Sequence, residues 1–399
     1  MRYRRIVAKF GTSLLTAGSD RLDLESMSRL VGQAVRLRKL GCEIVIVSSG
    51  AQAAGRHRLA KRLPQGYVPS RQAYASVGQS HLMQSWDELF DWHDTVVAQV
   101  LLTRRDLFSR DYLPLTLLQH GRGCRNACEY CAISAYFGAS WRSRPPEETV
   151  ADVLAQQRRY VFFVDDNIAA DHEAAKRLFT ALIPLRIRWV SQASLDIVRD
   201  RELMDLMVRS GCLGNVMGFE SITEESLRAM GKAPNLGSGR TLFRDEIAIL
   251  RDHGLQTWAA FTLGYDHDTV DSIERTLAFA LESRFTFAAF NVLMPYPGTP
   301  LYARLAAEGR LLYDGRWWLH PEYRFNHAAF VPARMSAEQL TEAGFHCRSV
   351  FNSPGSIFRR FFDARTNMRS LERMALYLLY NPLFRRETFK KHGMRLGTS

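Results

Sequence analysis

Two hydrophobic rhythms alternate along this chain. Arg5–Phe10 and Glu43–Ser48 are short apolar runs of strand length, each followed by small residues, Gly11-Thr12-Ser13 and Ser48-Ser49-Gly50-Ala51. Between them, Met27, Leu30, Val31, Ala34 and Leu37 recur at helical spacing and predict a helix over Leu24–Lys39. Arg71–Trp92 reads as a long helix and Thr95–Leu102 as a further strand. The pattern then restarts. Strands are predicted at Leu115–Gln119, Tyr160–Val164, Arg188–Gln192, Asn215–Phe219, Gln256–Thr262 and Phe287–Val292. Helical segments fall between them, among them Glu147–Arg158, Ala169–Leu182, Arg201–Ser210 and Asp268–Ser283. Six β/α units in a row predict a partial (β/α)6 barrel, whose chemistry would sit at the carboxyl ends of its strands.

Beyond Pro300 the pattern changes. Arg316-Trp317-Trp318-Leu319-His320-Pro321 precedes a helix starting at Ser336, where Ser336 and Gln339 have the spacing of a capping box. The stretch Ser370–Phe389 is amphipathic, with an interruption expected at Asn381-Pro382. No repeat or low-complexity linker separates the parts, even near Asp111–Pro114.

Hydrophobic residues make up 46% of the 399 positions and charged residues 24%, a balance that excludes wholesale disorder. No apolar run approaches the roughly 18 residues of a membrane span. The start, Met-Arg-Tyr-Arg-Arg, has no long apolar segment after it, so no signal peptide and a cytoplasmic location are expected. The net charge of +12 would suit nucleic acid or an anionic membrane. The arginines, however, are interleaved with acids, as in Arg104-Arg105-Asp106, and concentrate only at Arg385-Arg386 and Lys390-Lys391-His392. That distribution reads as a solvated basic face, and no nucleic-acid partner is expected.

The cysteines change the picture more. Cys42, Cys212 and Cys347 are scattered, whereas Cys124, Cys128 and Cys131 fall within eight residues, directly after a predicted strand. Such a cluster in a long chain points to a metal rather than to disulfides. Three thiolates on a [4Fe–4S] cluster leave one iron without a protein ligand, which suits direct binding of a small molecule. A zinc site completed by His120 is the alternative metal reading, and three unrelated buried thiols the bland one.

The segment Gly121-Arg122-Gly123-Cys124-Arg125-Asn126-Ala127-Cys128-Glu129-Tyr130-Cys131 resembles the signature of the radical S-adenosylmethionine (SAM) superfamily, including an aromatic residue before the last cysteine. The resemblance implies that Cys124, Cys128 and Cys131 hold the cluster and that its open iron chelates the amino and carboxylate groups of SAM. Reductive cleavage of the sulfonium would then yield methionine and a 5′-deoxyadenosyl radical. It further implies a reductant such as flavodoxin or ferredoxin.

Tyr130, Asp165, Asp166 and Glu220 would surround SAM. Asp165 and Asp166 follow the second barrel strand in Phe162-Phe163-Val164-Asp165-Asp166-Asn167, and Glu220 lies in Gly218-Phe219-Glu220-Ser221. The two aspartates could instead cap the next helix, and Glu220 could be an ordinary exposed carboxylate. Gln192 and Ser194 end the third strand, facing substrate or the core. Gly264-Tyr265-Asp266-His267-Asp268-Thr269 and Met294-Pro295-Tyr296-Pro297-Gly298-Thr299-Pro300 resemble motifs of the cobalamin-associated class, as do the Trp317-Trp318 region and Tyr380–Arg385, although Pro297-Gly298 also reads as a turn former. No Asp-x-His-x-x-Gly segment of a cobalamin domain occurs in the sequence, which leaves cobalamin use, and methyl transfer as an outcome, open.

Arg5–Tyr112 is similar to the first half of the amino-acid kinase family, glutamate 5-kinases in particular. Val7-Ala8-Lys9-Phe10-Gly11-Thr12-Ser13, Val47-Ser48-Ser49-Gly50-Ala51, Arg71-Gln72-Ala73, Val77-Gly78-Gln79 and Gln99-Val100-Leu101-Leu102-Thr103 carry the likeness. It implies that Lys9 and the Gly11 loop would meet phosphate oxygens. The iron–sulfur loop begins where that family continues with its nucleotide-binding half.

The expected organisation is therefore a truncated αβα kinase-like segment (1–112), a radical SAM core barrel (113–310) and an auxiliary C-terminal helical region (311–399). The expected function is reductive SAM cleavage acting on a small-molecule substrate, a lipid-like one included. The alternatives are relict glutamate 5-kinase activity and an inactive fusion.

Overall fold

The computed structural model describes residues 4–59, 68–100, 116–236 and 240–395, and the side chains at 68–72 and 240–242 are not among those described. The chain forms two compact units, Met1–Leu107 and Phe108–Ser399.

In the first unit β1 (Arg5–Phe10) pairs in parallel with β2 (Glu43–Ser48), and helix Leu24–Lys39 connects them. Asp23 caps that helix by accepting from Ser26 N. Its apolar stripe, Met27, Val31, Ala34 and Val35, packs with Leu82, Trp86 and Leu89 of helix Val68–Asp91. Helices Ala51–Arg58 and Val68–Asp91 meet backbone to backbone. A Cβ on Gly55 would lie 1.8 Å from Tyr74 O, and one on Gly78 1.8 Å from Ala51 O. The strand expected at Thr95–Leu102 does not form over residues 95–100, and residues 101 and 102 lie outside the described residues. Val96 and Val100, whose alternation suggested it, are 87% and 76% exposed, and they pair with no described strand.

In the second unit six parallel strands lie in sequential order: β3 (Thr116–Leu118), β6 (Tyr160–Phe163), β7 (Arg188–Ala193), β8 (Cys212–Glu220), β9 (Gln256–Leu263) and β10 (Phe287–Val292). A two-stranded antiparallel pair, β4 (Gly121–Gly123) and β5 (Trp141–Ser143), is inserted between the first two. This is the strand order of the expected β/α barrel. Alternate residues divide the sheet into two faces. On the outer face Phe219 and Phe261 pack with Phe243, Phe279 and Phe285 from the covering helices and the turn after them, with ring centroids 5.0–6.4 Å apart. The inner face carries Phe162, Val190, Gln192, Val216, Gly218, Trp258, Ala260, Ala289 and Asn291, none of them fully buried.

After β10, helix Pro300–Ala307 starts at the cap Thr299, and helix Ala337–Phe351 starts at the expected capping box, in which Ser336 Oγ accepts from Gln339 N (3.1 Å) and Gln339 Oε1 from Ser336 N (2.8 Å). Helix Leu371–Lys391 runs unbroken through Pro382, contrary to the interruption expected at Asn381-Pro382. Proline removes one donor there, and the carbonyl it orphans belongs to Leu378, on the exposed side where water can satisfy it. Among the described residues no helix is long and apolar enough to cross a membrane.

Candidate cofactor site

The cysteine loop is built by a sharp backbone reversal. Gly123 ends β4 at φ +90°, and a Cβ there would lie 2.3 Å from Ser140 O, so only glycine serves. Cys128 is buried, while Cys124 and Cys131 are half-buried, and none is in a disulfide. Cys131 N donates to Cys128 O (3.1 Å), and Ser134 Oγ donates to Asn126 O (2.8 Å), which folds the loop on itself. Two outside contacts fix it. Glu129 N donates to Met230 O (3.0 Å), and the Glu129 carboxylate receives Arg304 Nε (2.8 Å) and the Tyr265 hydroxyl. Arg304 also meets Asp266 at 2.6 Å. The Gly264–Thr269 and Pro297–Pro300 motifs thus place the residues that anchor the loop. Asp268, for example, accepts from Gly264 N (2.8 Å) and Tyr265 N (3.0 Å).

Asp165 and Asp166 hold the strand leading into the loop. The buried Asp165 carboxylate accepts from His120 N (3.0 Å) and from Gly121 N, and Asp166 Oδ2 accepts from Gly123 N (2.8 Å). Burial raises the Asp165 carboxyl to about 6 despite those two backbone donors. Neither aspartate caps the following helix; Asp171 does, accepting from Ala174 N (2.9 Å).

Glu220 is buried at the end of β8, with φ +64° just past a register irregularity. A left-handed glutamate is a strained conformation that its neighbours must hold. They do: Glu220 Oε1 accepts from Lys232 Nζ (3.0 Å) and Oε2 from Thr262 Oγ1 (2.7 Å), and Tyr130 also bonds to it. Burial, followed by Glu220 and Cys128, raises the Tyr130 hydroxyl well above its usual range. Burial opposes the charge on Lys232, but Glu220 and Cys128 outweigh it and push the ammonium up to about 12. The Cys128 thiol is raised by burial, and Lys232 partly offsets this. A buried cation therefore stands between Glu220 and the thiols of Cys124 and Cys128.

Gln192 is exposed on the inner face, while Ser194 is buried and receives Asn167 Nδ2 (2.7 Å). The expected site residues divide accordingly. Cys124, Cys128, Cys131, Tyr130 and Glu220 form one electrostatically linked group; Asp165 and Asp166 brace its backbone; Gln192 and Ser194 lie on β7 and just past its end. Sequence reasoning missed Lys232, Thr262 and the Glu129–Arg304 anchor. Lys232 lies about a hundred residues from the loop, and only folding brings it there.

The donor set fits an iron–sulfur cluster. Among the described residues no three or more His, Cys, Asp or Glu side chains converge at single-ion distance. His120, the expected fourth zinc donor, points Nδ1 at Thr149 Oγ1 (2.9 Å), and burial and Arg144 lower its pKa to about 4. A four-iron cluster takes its thiolates on separate irons, so three free, electrostatically coupled thiols on one short loop, with a buried ammonium offsetting their charge, suit it better than one small ion.

Comparison with known proteins agrees with this geometry. The radical SAM superfamily matches residues 118–280, and the amino acid kinase family matches residues 4–175. A bacteriochlorophyllide d C-12(1)-methyltransferase of Chlorobaculum tepidum is 27% identical over 240 residues, covering 59% of this chain and 51% of the relative. A glutamate 5-kinase of Dehalococcoides mccartyi is 52% identical over 108 residues, 27% of this chain and 29% of the relative. The chain thus spans about half the length of the first and less than a third of the second. Among solved structures, the cobalamin-dependent SAM radical enzyme OxsB with aqua-cobalamin bound has a TM-score of 0.54 at 13% identity, covering 96% of this chain and 63% of that one. At that identity the likeness concerns the fold.

Proposed function

This chain carries a radical SAM domain over residues 118–280 behind an amino-acid-kinase-like segment, and from that premise we propose that it is an enzyme that cleaves SAM reductively at a [4Fe–4S] cluster. The observation that carries the reading is the group made by Cys124, Cys128 and Cys131 with the buried Lys232–Glu220 pair.

In this reading the three cysteines hold the cluster and leave one iron for the amino and carboxylate groups of SAM. When bound, the cluster supplies the electron that breaks a sulfonium carbon–sulfur bond. The protein's own contribution is positional. Asp165 and Asp166 fix the backbone of β4, so the cysteine loop starts from a rigid edge. Glu129, clamped by Arg304, fixes its far side. Lys232 pairs with Glu220 in a buried setting, and Thr262 and Tyr130 orient that carboxylate toward the cation-bearing part of SAM. Gln192 faces the interior, where it can meet substrate.

Methyl transfer is the outcome that the methyltransferase relative favours, and a corrinoid is the carrier that this narrower reading would use. Corrin absorption after co-purification would support that narrower reading. The N-terminal segment is read as a fused kinase-like unit without phosphotransfer of its own; glutamate-dependent ATP turnover abolished by Lys9→Ala would overturn this.

The test of the main reading is anaerobic reconstitution with iron and sulfide, followed by incubation with SAM and dithionite. Methionine and 5′-deoxyadenosine in equal amounts are expected. A reconstituted protein that forms neither contradicts the proposal.

A further inference from the structure

The sheet's inner face runs down from Glu220 to a second feature at the opposite end of the strands. There a cavity of about 200 Å³ is lined by Phe162, Val190, Val216, Trp258 and Phe287 of the sheet and flanked by helix Leu371–Lys391. Leu376, Tyr380 and Phe384 supply the flanking wall from one stripe of that helix, four residues apart. The Phe384 ring packs 4.7 Å from Trp258 and 5.1 Å from Phe287.

The chemistry of this cavity is one-sided. Three of the polar side chains around it have a donor committed elsewhere. Ser191 Oγ donates to Phe163 O (2.8 Å), Gln256 Nε2 to Arg373 O (3.2 Å), and Arg188 Nε to Glu372 (3.0 Å). The rest of the lining is mostly carbon, with one buried amide acceptor, Gln256 Oε1, that has no partner. Water needs two to four polar partners to occupy such a space, and an anion needs donors. An apolar space of about 150 Å³ already takes up benzene. The fitting occupant is an uncharged hydrocarbon carrying at most a hydroxyl.

The candidate cofactor site lies farther along the same face of the sheet. Val216 and Glu220 are four residues apart on β8, roughly 13 Å at the usual strand rise. The row between them is nearly free of side chains: Gly218 pairs with Ala260, and Ala260 with Ala289. A Cβ on Gly218 would run into the Glu220–Lys232 pair, 2.2 Å from Glu220 Oε1 and 2.9 Å from Lys232 Nζ. The polar pair therefore occupies the space over Gly218, while Ala260 and Ala289 beside it carry only methyl groups. We infer that this cavity is the binding site for the hydrocarbon part of the substrate, an isoprenoid, acyl or polycyclic group, whose reacting carbon extends past Ala260 and Ala289 toward Glu220. This rests on the proposed SAM chemistry for its reaction but not for its binding.

The test is titration of the full-length protein with N-phenyl-1-naphthylamine, an uncharged fluorophore that brightens in apolar surroundings. Saturable one-site binding, competed by dodecanol, is expected for the natural sequence. Val216→Trp, which fills the cavity, should abolish it, and Val190→Phe serves as a second filling variant should the first not fold, as judged by circular dichroism. Leu379→Lys changes a residue that is 71% exposed on the opposite side of the flanking helix and should leave binding intact. Binding that survives in a folded cavity-filled variant, or that is lost in Leu379→Lys, overturns the inference. So does the absence of any saturable site. Iron content and 5′-deoxyadenosine formation, measured on the same preparation, keep the two ideas separate. Cleavage without a probe site refutes only the hydrocarbon site, and a probe site without iron or cleavage refutes only the cofactor reading.

Discussion

The two units use the same parallel β/α grammar with opposite results. In the N-terminal unit two strands alternate between half-buried and exposed positions, and Val7, Val45 and Val47 are 63%, 47% and 46% exposed. In the barrel unit six strands bury one face under helices and turn the other toward a lined interior. Charges follow the same division. The Arg5–Glu43 pair of the first unit spans 2.6 Å with side chains 69% and 47% exposed, whereas Lys232–Glu220 spans 3.0 Å with side chains only 12% and 10% exposed. A sheet covered on one face and lined on the other can desolvate charge and so aim it; a two-stranded ribbon cannot.

The largest expected effect would sharpen that contrast at the cofactor loop. Cys128→Ala should reduce iron after anaerobic reconstitution from about four per chain to background and eliminate 5′-deoxyadenosine, while Lys9→Ala in the first unit leaves both unchanged. Next come the two ion pairs. Lys232→Met strands a buried carboxylate and should cost about 3–5 kcal/mol in denaturant unfolding. Arg5→Met removes an exposed partner and should cost roughly 0–1 kcal/mol. Equal costs would contradict the difference in burial.

Asp165 gives a pH signature. Its folded carboxyl titrates at about 6 and the ordinary value is 3.8, so between those values the folded state holds a proton that the unfolded state has lost. Stability from this group is therefore highest below pH 4 and declines as pH rises through 6, by up to about 3 kcal/mol. Thermal unfolding from pH 4 to 6.5 should show a flatter decline in Asp165→Asn than in the natural sequence.

A further effect concerns the first unit alone. Gly55→Ala forces a methyl group against Tyr74 O and should destabilise that unit by about 1–3 kcal/mol, while SAM cleavage persists. Loss of cleavage in this variant would mean that the units are not separable in function.

Much of the fold was legible because its signals are local. Arg5–Phe10, Leu24–Lys39, Glu43–Ser48 and Phe287–Val292 form over the expected residues, and the capping box at Ser336 is present. The failures occurred where tertiary context decides. Thr95–Val100 has strand-like alternation but pairs with no described strand, and Pro382 sits in a helix whose orphaned carbonyl faces solvent. At the site, the cysteine spacing and Glu220 could be read from short motifs. Lys232 could not, since a single lysine after a short helix carries no pattern until folding sets it beside Glu220 and Cys128. Asp165 was legible as a residue near the loop, but its engagement with two backbone amides was not, because amide direction has no sequence signature.

The central claim is that three cysteines leave one iron open to SAM. Electron paramagnetic resonance of the reconstituted, reduced full-length protein tests this most directly. The account predicts a [4Fe–4S] signal whose g-values shift when SAM is added and that is missing in Cys128→Ala. A protein with intact cysteines that gives no such signal, or a signal indifferent to SAM, would contradict it.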